Sequence, residues 1–358
     1  MTATQLRGLR QVAYRRGLKQ LGAPTAVARP YVIPGAPALL HRRWQRMLDR
    51  APVVSARQHA MATGIGEIEE VTGCLLCGHD RVQALFTPRH PGGRWEYRVV
   101  RCHACGLLYR NPGIRPERLG ALYERDYSAF LTGAYAKDRT RRYRLSMDAL
   151  APLFEDGSGR RLLDFGCGVG VFLELAHQRG FETYGVDLSP DSVAEARRRP
   201  GGARAYTGAP EDVPEIAAGG FDVITLWSVI AHLPRPVDTL RTLRGLLRPD
   251  GVLALMTVNA NSLLLKARRD RWNGFTRNHL AIYSPDTLPR TLDAAGFAAV
   301  VLRPSYGDPV EAGATDLAPA LQQRLRRTVD DGNQGNMLRA VAFADPDGPA
   351  RWAFAARR

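Results

Sequence analysis

Arg161-Leu-Leu-Asp164-Phe-Gly166-Cys-Gly168-Val-Gly170-Val-Phe172 decides the fold. An apolar run carrying an acid near its end passes into three alternating glycines and then into a second apolar stretch. That order describes a strand, a tight turn and a helix. Glycines at such a turn let the backbone approach a ligand and let the helix lie close to the strand. Val171 occupies the third glycine position of the dinucleotide pattern G-x-G-x-x-G, so a nicotinamide enzyme is the weaker reading. Asp187 ends the next apolar run, at the distance where an acid accepts the hydroxyls of an adenosine ribose.

Working outward, the alternation continues. The pattern predicts strands over 162–165, 183–187, 221–226 and 251–258, with helices over 169–178, 191–199 and 237–247. A helix over 287–295 capped by Ser284-Pro285 and closed by Gly296 follows, then strands over 298–302 and 337–343. Such order argues an α/β fold with a Rossmann-like parallel sheet covered on both faces. Upstream, 116–155 reads as a helical linker or lid, with Tyr123 and Tyr127 placed to close one side of the site.

Four of the five cysteines form two knuckles, Cys74-Leu-Leu-Cys77-Gly78 and Cys102-His-Ala-Cys105-Gly106. The two-residue spacer aims both thiolates at one ion, and the following glycine suits the left-handed turn this needs. Together they make a closed four-cysteine site for structural Zn2+. With no open coordination position, metal-assisted hydrolysis is excluded there. Unrelated free thiols and a redox dithiol compete with this reading, but a dithiol needs one pair and not two. Cys167, inside the glycine turn, is expected to serve packing.

The chain has 358 residues, 50 Lys+Arg against 35 Asp+Glu, and a net charge of +15. At 45% hydrophobic and 24% charged, wholesale disorder, collagen and coiled coil are excluded. No apolar run reaches the roughly 18 residues of a membrane span, and no secretory signal is legible, so a cytoplasmic protein is expected. Residues 1–60 hold eleven Lys+Arg and one acid, Asp49, so the excess charge is concentrated there. Three readings of this arm stand side by side. It is a basic segment touching anionic partners, or a helical subdomain packing on the rest, for which Gln5–Leu21 offers a helix, or an over-long start before Met61 that methyl transfer would not need. The resulting division is a basic arm over 1–68, loosely structured or helical, and a cysteine ribbon over 69–115. The helical linker spans 116–155, the α/β domain 156–345 and a tail 346–358.

These motifs carry a resemblance. Asp164–Gly170 with Gly185-Val-Asp187-Leu-Ser-Pro190 resembles the class I S-adenosylmethionine-dependent methyltransferases. Glu211-Asp212-Val-Pro214, Phe221–Trp227, Ile230-Ala-His232-Leu-Pro234 and Leu247-Arg-Pro249-Asp250-Gly251 are similar to later motifs of that family. Cys102 to Pro112 and His279-Leu-Ala-Ile-Tyr283-Ser284 resemble a subgroup with a four-cysteine zinc ribbon in front. The resemblance implies a seven-stranded sheet of order 3-2-1-4-5-7-6 and S-adenosylmethionine as cofactor. It places Gly166 and Gly168 along the cofactor's amino-acid tail, Asp164 near its ammonium and Asp187 with Leu188 at the ribose. Glu211 or Asp212 falls near the adenine edge, and Leu226 and Trp227 beside the site. Ala231 stands where relatives carry a Glu before His232, and Ala209 where many carry an acid toward the adenine.

The sulfonium is already activated, so positioning and desolvation are the protein's main tasks. An alcohol acceptor also needs a base, and His232 and His279 follow the fourth and fifth strands, at the edge where open α/β sheets bind ligands. A capping or packing role competes for both. The segment 259–284 carries Lys266, Arg268, Arg269, Arg271, Trp272 and Arg277, and reads as a lid for an anionic acceptor or as a solvated basic loop. The function expected is methyl transfer to a small-molecule or glycan acceptor, with O-methylation favoured. The alternatives are a nucleic-acid methyltransferase gripping RNA or DNA through ribbon and arm, and a degenerate binding protein.

Overall fold

The computed structural model describes residues 13–15, 36–56, 68–69, 73–90, 92–94, 96–115, 156–272, 274–305 and 335–348, and single positions between 140 and 153. In chain order, strand β1 (Ala13–Arg15) precedes helix α1 (Ala36–Arg50) and β2 (Val53–Ser55). The ribbon strands are β3 (Arg81–Phe86), β4 (Arg98–Cys102) and β5 (Leu108–Asn111). The α/β part runs β6 (Arg161–Phe165), α2 (Val171–His177), β7 (Glu182–Asp187), α3 (Pro190–Arg197), β8 (Ala205–Thr207) and β9 (Phe221–Trp227). It continues with α4 (Pro236–Leu246), β10 (Leu247–Val258), α5 (Leu263–Arg268), β11 (Ala281–Ile282), α6 (Thr287–Ala294), β12 (Ala299–Ser305) and β13 (Met337–Phe343).

The large sheet has the order β1-β12-β13-β10-β9-β6-β7-β8. Omitting β1, this is the 3-2-1-4-5-7-6 order expected from the resemblance. The pairs from β8 through β10 are parallel, and β13 is antiparallel to both β10 and β12. Period-two alternation sorts the strands' side chains onto two faces. Leu163, Ile224, Leu226 and Leu253 pack with Leu240, Leu243, Leu288 and Leu292 on one face. Leu162, Val223, Trp227 and Ala254 pack with Phe172 and Leu175 on the other. Each fully buried leucine contributes about 1.5–3 kcal/mol relative to exposure. The glycine turn is set by packing: a Cβ on Gly170 would meet Ala196 Cβ at 2.9 Å, so α2 and α3 close only over a glycine.

The second sheet, β11-β5-β4-β3-β2, joins the two parts of the chain. Ala281 and Ile282 pair with Tyr109 and Leu108, so the ribbon's edge strand comes from the loop after β10. At its other edge, β2 pairs with β3. Helix α1 packs beside it, with Trp44 and Leu48 buried among Tyr97, Leu265, Trp272 and Phe275. Residues 36–56 are therefore folded onto the ribbon, the arrangement that the reading of the arm as a packed helical subdomain describes. A helix over Gln5–Leu21 is corrected. Ala13–Arg15 is extended and pairs with β12, whose outer edge would otherwise expose unpaired backbone groups. Tyr123 and Tyr127, and most of the expected helices over 116–155, lie outside the described residues. Among the described residues no helix is long and apolar enough to cross a membrane.

Candidate functional site

The cofactor-binding candidates converge at the carboxyl ends of β6 and β7. Gly166, Gly168 and Gly170 all have left-handed backbone, with φ of 79°, 52° and 73°. A Cβ on Gly166 would come within 2.5 Å of Val229 Cγ2, so the loop after β9 rests directly on this turn. The Gly168 N–H donates to Asp187 Oδ2 at 2.8 Å, and the Ser189 N–H donates to Oδ1 at 3.0 Å. Asp187 thereby fixes the turn while each carboxylate oxygen keeps a lone pair for a further donor. Burial pushes its pKa up, against the backbone N–H groups that pull it down.

Asp164 is 2% exposed and accepts the Thr225 hydroxyl on Oδ1 at 2.6 Å. Burial raises its pKa to about 7, with Thr225 lowering it and the Asp187 charge raising it. A buried carboxyl whose surroundings oppose its charge matches the ammonium of an amino-acid tail. Thr225 is the partner that sequence reasoning missed. Its only signal is the register Asp164↔Thr225, which requires the strand pairing to be known.

Leu188 is 49% exposed next to Asp187, one of two large hydrophobics so exposed among the described residues. Such a side chain beside a ribose-type acid offers an apolar surface to an adenine. Glu211 and Asp212 are exposed on a short turn, reached from Asp187 through Gly208, whose N–H donates to the Asp187 carbonyl at 3.0 Å. Alternation along β9 turns Trp227 onto the face covered by α2, 4.9 Å from Phe172 between ring centroids. Ser228 follows it with φ of 63°, a left-handed conformation costly for serine, and bends the chain toward the glycine turn. Cys167 is buried among Leu173, Val193 and Ala196, in the packing role expected of it.

His232 and His279 are brought together, with ring centroids 4.8 Å apart. His232 Nδ1 lies 2.8 Å from the Asn278 carbonyl, and His279 Nδ1 lies 2.8 Å from the Gly274 carbonyl. Carbonyls only accept, so the His279 Nδ1 carries a proton and the neutral ring keeps its lone pair on Nε2, whereas the His232 ring is faced by a second carbonyl, that of Ser228. Burial, then the His232 ring, lower the His279 pKa to about 3. Burial also lowers that of His232, opposed by the carbonyls of Asn278 and Ser228. Ala231, in place of an acid, contributes its backbone: the Leu280 N–H donates to its carbonyl at 2.7 Å. The orientation of His232 thus comes from Asn278 and not from a neighbouring carboxylate.

The four ribbon sulfurs all lie within 4.8 Å of one another. Cys74 and Cys105 Sγ are 3.4 Å apart, Cys77 and Cys102 Sγ 3.6 Å. Sulfurs at tetrahedral distance from one zinc would stand about 3.8 Å apart, so the thiolates fit that ion. Gly78 and Gly106 have φ of 71° and 81°, as the knuckle turns require. The cluster is not a separate lobe, because Arg290 Nη1 of α6 donates to the Cys105 carbonyl at 3.2 Å. Arg110, buried over the Tyr97 ring, donates to the Arg277 carbonyl and pins the segment before His279.

Known proteins share this arrangement in part. Residues 135–302, just under half of the chain, match the family model described as a methyltransferase domain. Over 112 residues the chain is 34% identical to the ubiquinone biosynthesis O-methyltransferase of Pseudomonas aeruginosa strain LESB58, which covers 29% of this chain and 47% of that protein. The protein of the same name from Bordetella avium strain 197N is 34% identical over 107 residues, covering 29% and 44%. A solved SAM dependent methyltransferase from Archaeoglobus fulgidus aligns over 57% of this chain and 94% of that chain, at a TM-score of 0.43 and 19% identity. The chain spans about half the length of the curated relatives it matches. The matched segment contains the glycine turn, Asp187 and both histidines. Residues 135–302 thus match a methyltransferase domain, and they lie on a Rossmann-like, mostly parallel sheet.

Proposed function

We propose that this domain binds S-adenosylmethionine and transfers its methyl group to a hydroxyl of a small-molecule or glycan acceptor, while Zn2+ held by Cys74, Cys77, Cys102 and Cys105 supports the ribbon. The observation that carries the reading is the glycine turn locked to Asp187, with the buried Asp164 carboxyl beneath it and Leu188 exposed beside it. The cofactor supplies an activated methyl on a sulfonium. Gly166 and Gly168 hold its amino-acid tail, Asp164 its ammonium, Asp187 the ribose hydroxyls, and Leu188 with Glu211 or Asp212 the adenine. His279 takes the acceptor's proton on Nε2, the nitrogen its Gly274 bond leaves unprotonated. His232, whose ring is faced by the carbonyls of Asn278 and Ser228, ranks second because neither ring nitrogen is left to accept a proton.

O-methylation is supported by the activity for which the relatives are named. A nucleic-acid acceptor would need exposed aromatics on the ribbon. Among the described residues Tyr97 is buried there and Phe86 packs against Trp44 and Phe275, while Trp95 lies outside them. The test is to incubate the protein with methyl-labelled S-adenosylmethionine and extracts of its own cells. Label in a small molecule or saccharide, lost in His279→Ala with cofactor affinity retained, supports the reading. Label only in nucleic acid, or none, overturns it.

A further inference from the structure

Lys266 on α5 is 2% exposed. Among the described residues its ammonium has one hydrogen bond, from Nζ to the neutral Asn261 Oδ1 at 2.6 Å, and no ion pair. A lysine packed only through its stem would extend its ammonium to water; this one does not. Burial lowers its pKa to about 8, which leaves it mostly charged at neutral pH with two protons undirected. Burying a charge without a counter-charge is costly, so its retention points to a ligand.

Two buried polar atoms on elements packed with α5 lack partners. His41 on α1 has a buried Nδ1 without a partner, and its pKa is lowered by burial and then by the Lys266 charge, so the two groups feel each other. Trp272, packed with Trp44 and Leu265, has a buried indole N–H without a partner. An indole N–H can only donate and an ammonium can only donate. A ligand that only accepts, a carboxylate or a phosphate, satisfies such a set.

The position relates this set to the acceptor. Asn259 follows the carboxyl end of β10, and Asn261 and Lys266 come next in the chain. The Ala260 N–H donates to the Tyr283 carbonyl at 2.7 Å, and the Leu280 N–H donates to the Ala231 carbonyl. These bonds tie the Lys266 loop to the segment bearing His279, and that segment to the turn bearing His232. We propose that Lys266 and His41 form a subsite for a carboxylate or phosphate group of the methyl acceptor. The subsite rests on the methyl-transfer reading and narrows its acceptor class to anionic molecules.

The full chain, with S-adenosylmethionine bound, is titrated calorimetrically with benzoate and separately with inorganic phosphate. The expected result is saturable binding of at least one probe, weakened tenfold or more in Lys266→Met and in His41→Phe, with cofactor affinity unchanged. The tighter probe distinguishes a carboxylate-bearing from a phosphorylated acceptor. His41→Phe keeps the test decisive if Lys266→Met does not fold. Failure of both probes to bind saturably, or equal binding in wild type and variants, overturns the subsite. Cofactor binding without anion binding overturns the subsite alone, whereas loss of cofactor binding by the wild-type chain overturns the methyl-transfer reading itself.

Discussion

At the scale of single residues, the site is governed by buried groups held away from their ordinary ionisation. His279 shows the consequence for stability. Its folded pKa, about 3, lies below the ordinary 6.5 because burial and His232 oppose its charge. As pH falls below about 6.5 the unfolded chain takes up this proton and the folded chain does not. Stability is therefore full above 6.5 and is lost progressively toward pH 3. The urea midpoint of the wild type should fall more between about pH 7 and pH 5 than that of His279→Gln; parallel falls would contradict the assignment. For the same reason, an acid limb near pH 6.5 in kcat/KM, which an exposed histidine base would produce, is not expected here. Asp187 was legible because a spacing rule places it, and the histidines because they follow strands. Their orientation was not legible, since it depends on carbonyls of Asn278 and Gly274 in a segment without periodicity. The face on which Trp227 packs was not legible, because one step along a strand reverses the face and no motif says which face meets the cofactor.

At the scale of elements, ribbon and sheet are interlocked. β11 completes the ribbon's sheet with two residues taken from the loop that also carries His279. Loosening the knuckles should then disturb the acceptor side before the cofactor side. Cys102→Ser, or chelation of bound zinc, should lower the melting temperature and abolish turnover. A protein that contains no zinc and keeps full stability would contradict the proposed metal site. The arm follows similar logic. Met47 and Leu48 lie three and four residues after Trp44, a helical spacing that places them on one face, yet Pro24, Pro30, Pro34 and Pro37 upstream obscured it. A chain shortened to begin at Met61 loses α1 and β2 and uncovers Tyr97, Phe86 and Trp272. It should express with reduced solubility and a lower melting temperature; equal stability would show that α1 is dispensable. β8 escaped sequence reading because three residues are too few to show a period.

At the scale of the whole molecule, the order of the large sheet was legible only as what the family resemblance implied, because motifs at strand ends place those ends on one edge but carry no information on which strands lie side by side. What joins that edge to the ribbon was not readable, because sheet pairings between distant segments leave no local pattern. The central claim is that the turn from Gly166 to Gly170, locked by Asp187, is an S-adenosylmethionine site. Calorimetric titration of the cofactor into wild type and Asp187→Ala tests it most directly. The account expects one saturable site in the wild type, weakened by about 2–3 kcal/mol, or roughly 30–150-fold, in the variant through loss of hydrogen bonds to a charged group. No binding to the wild type, or equal affinity in the two proteins, would contradict it.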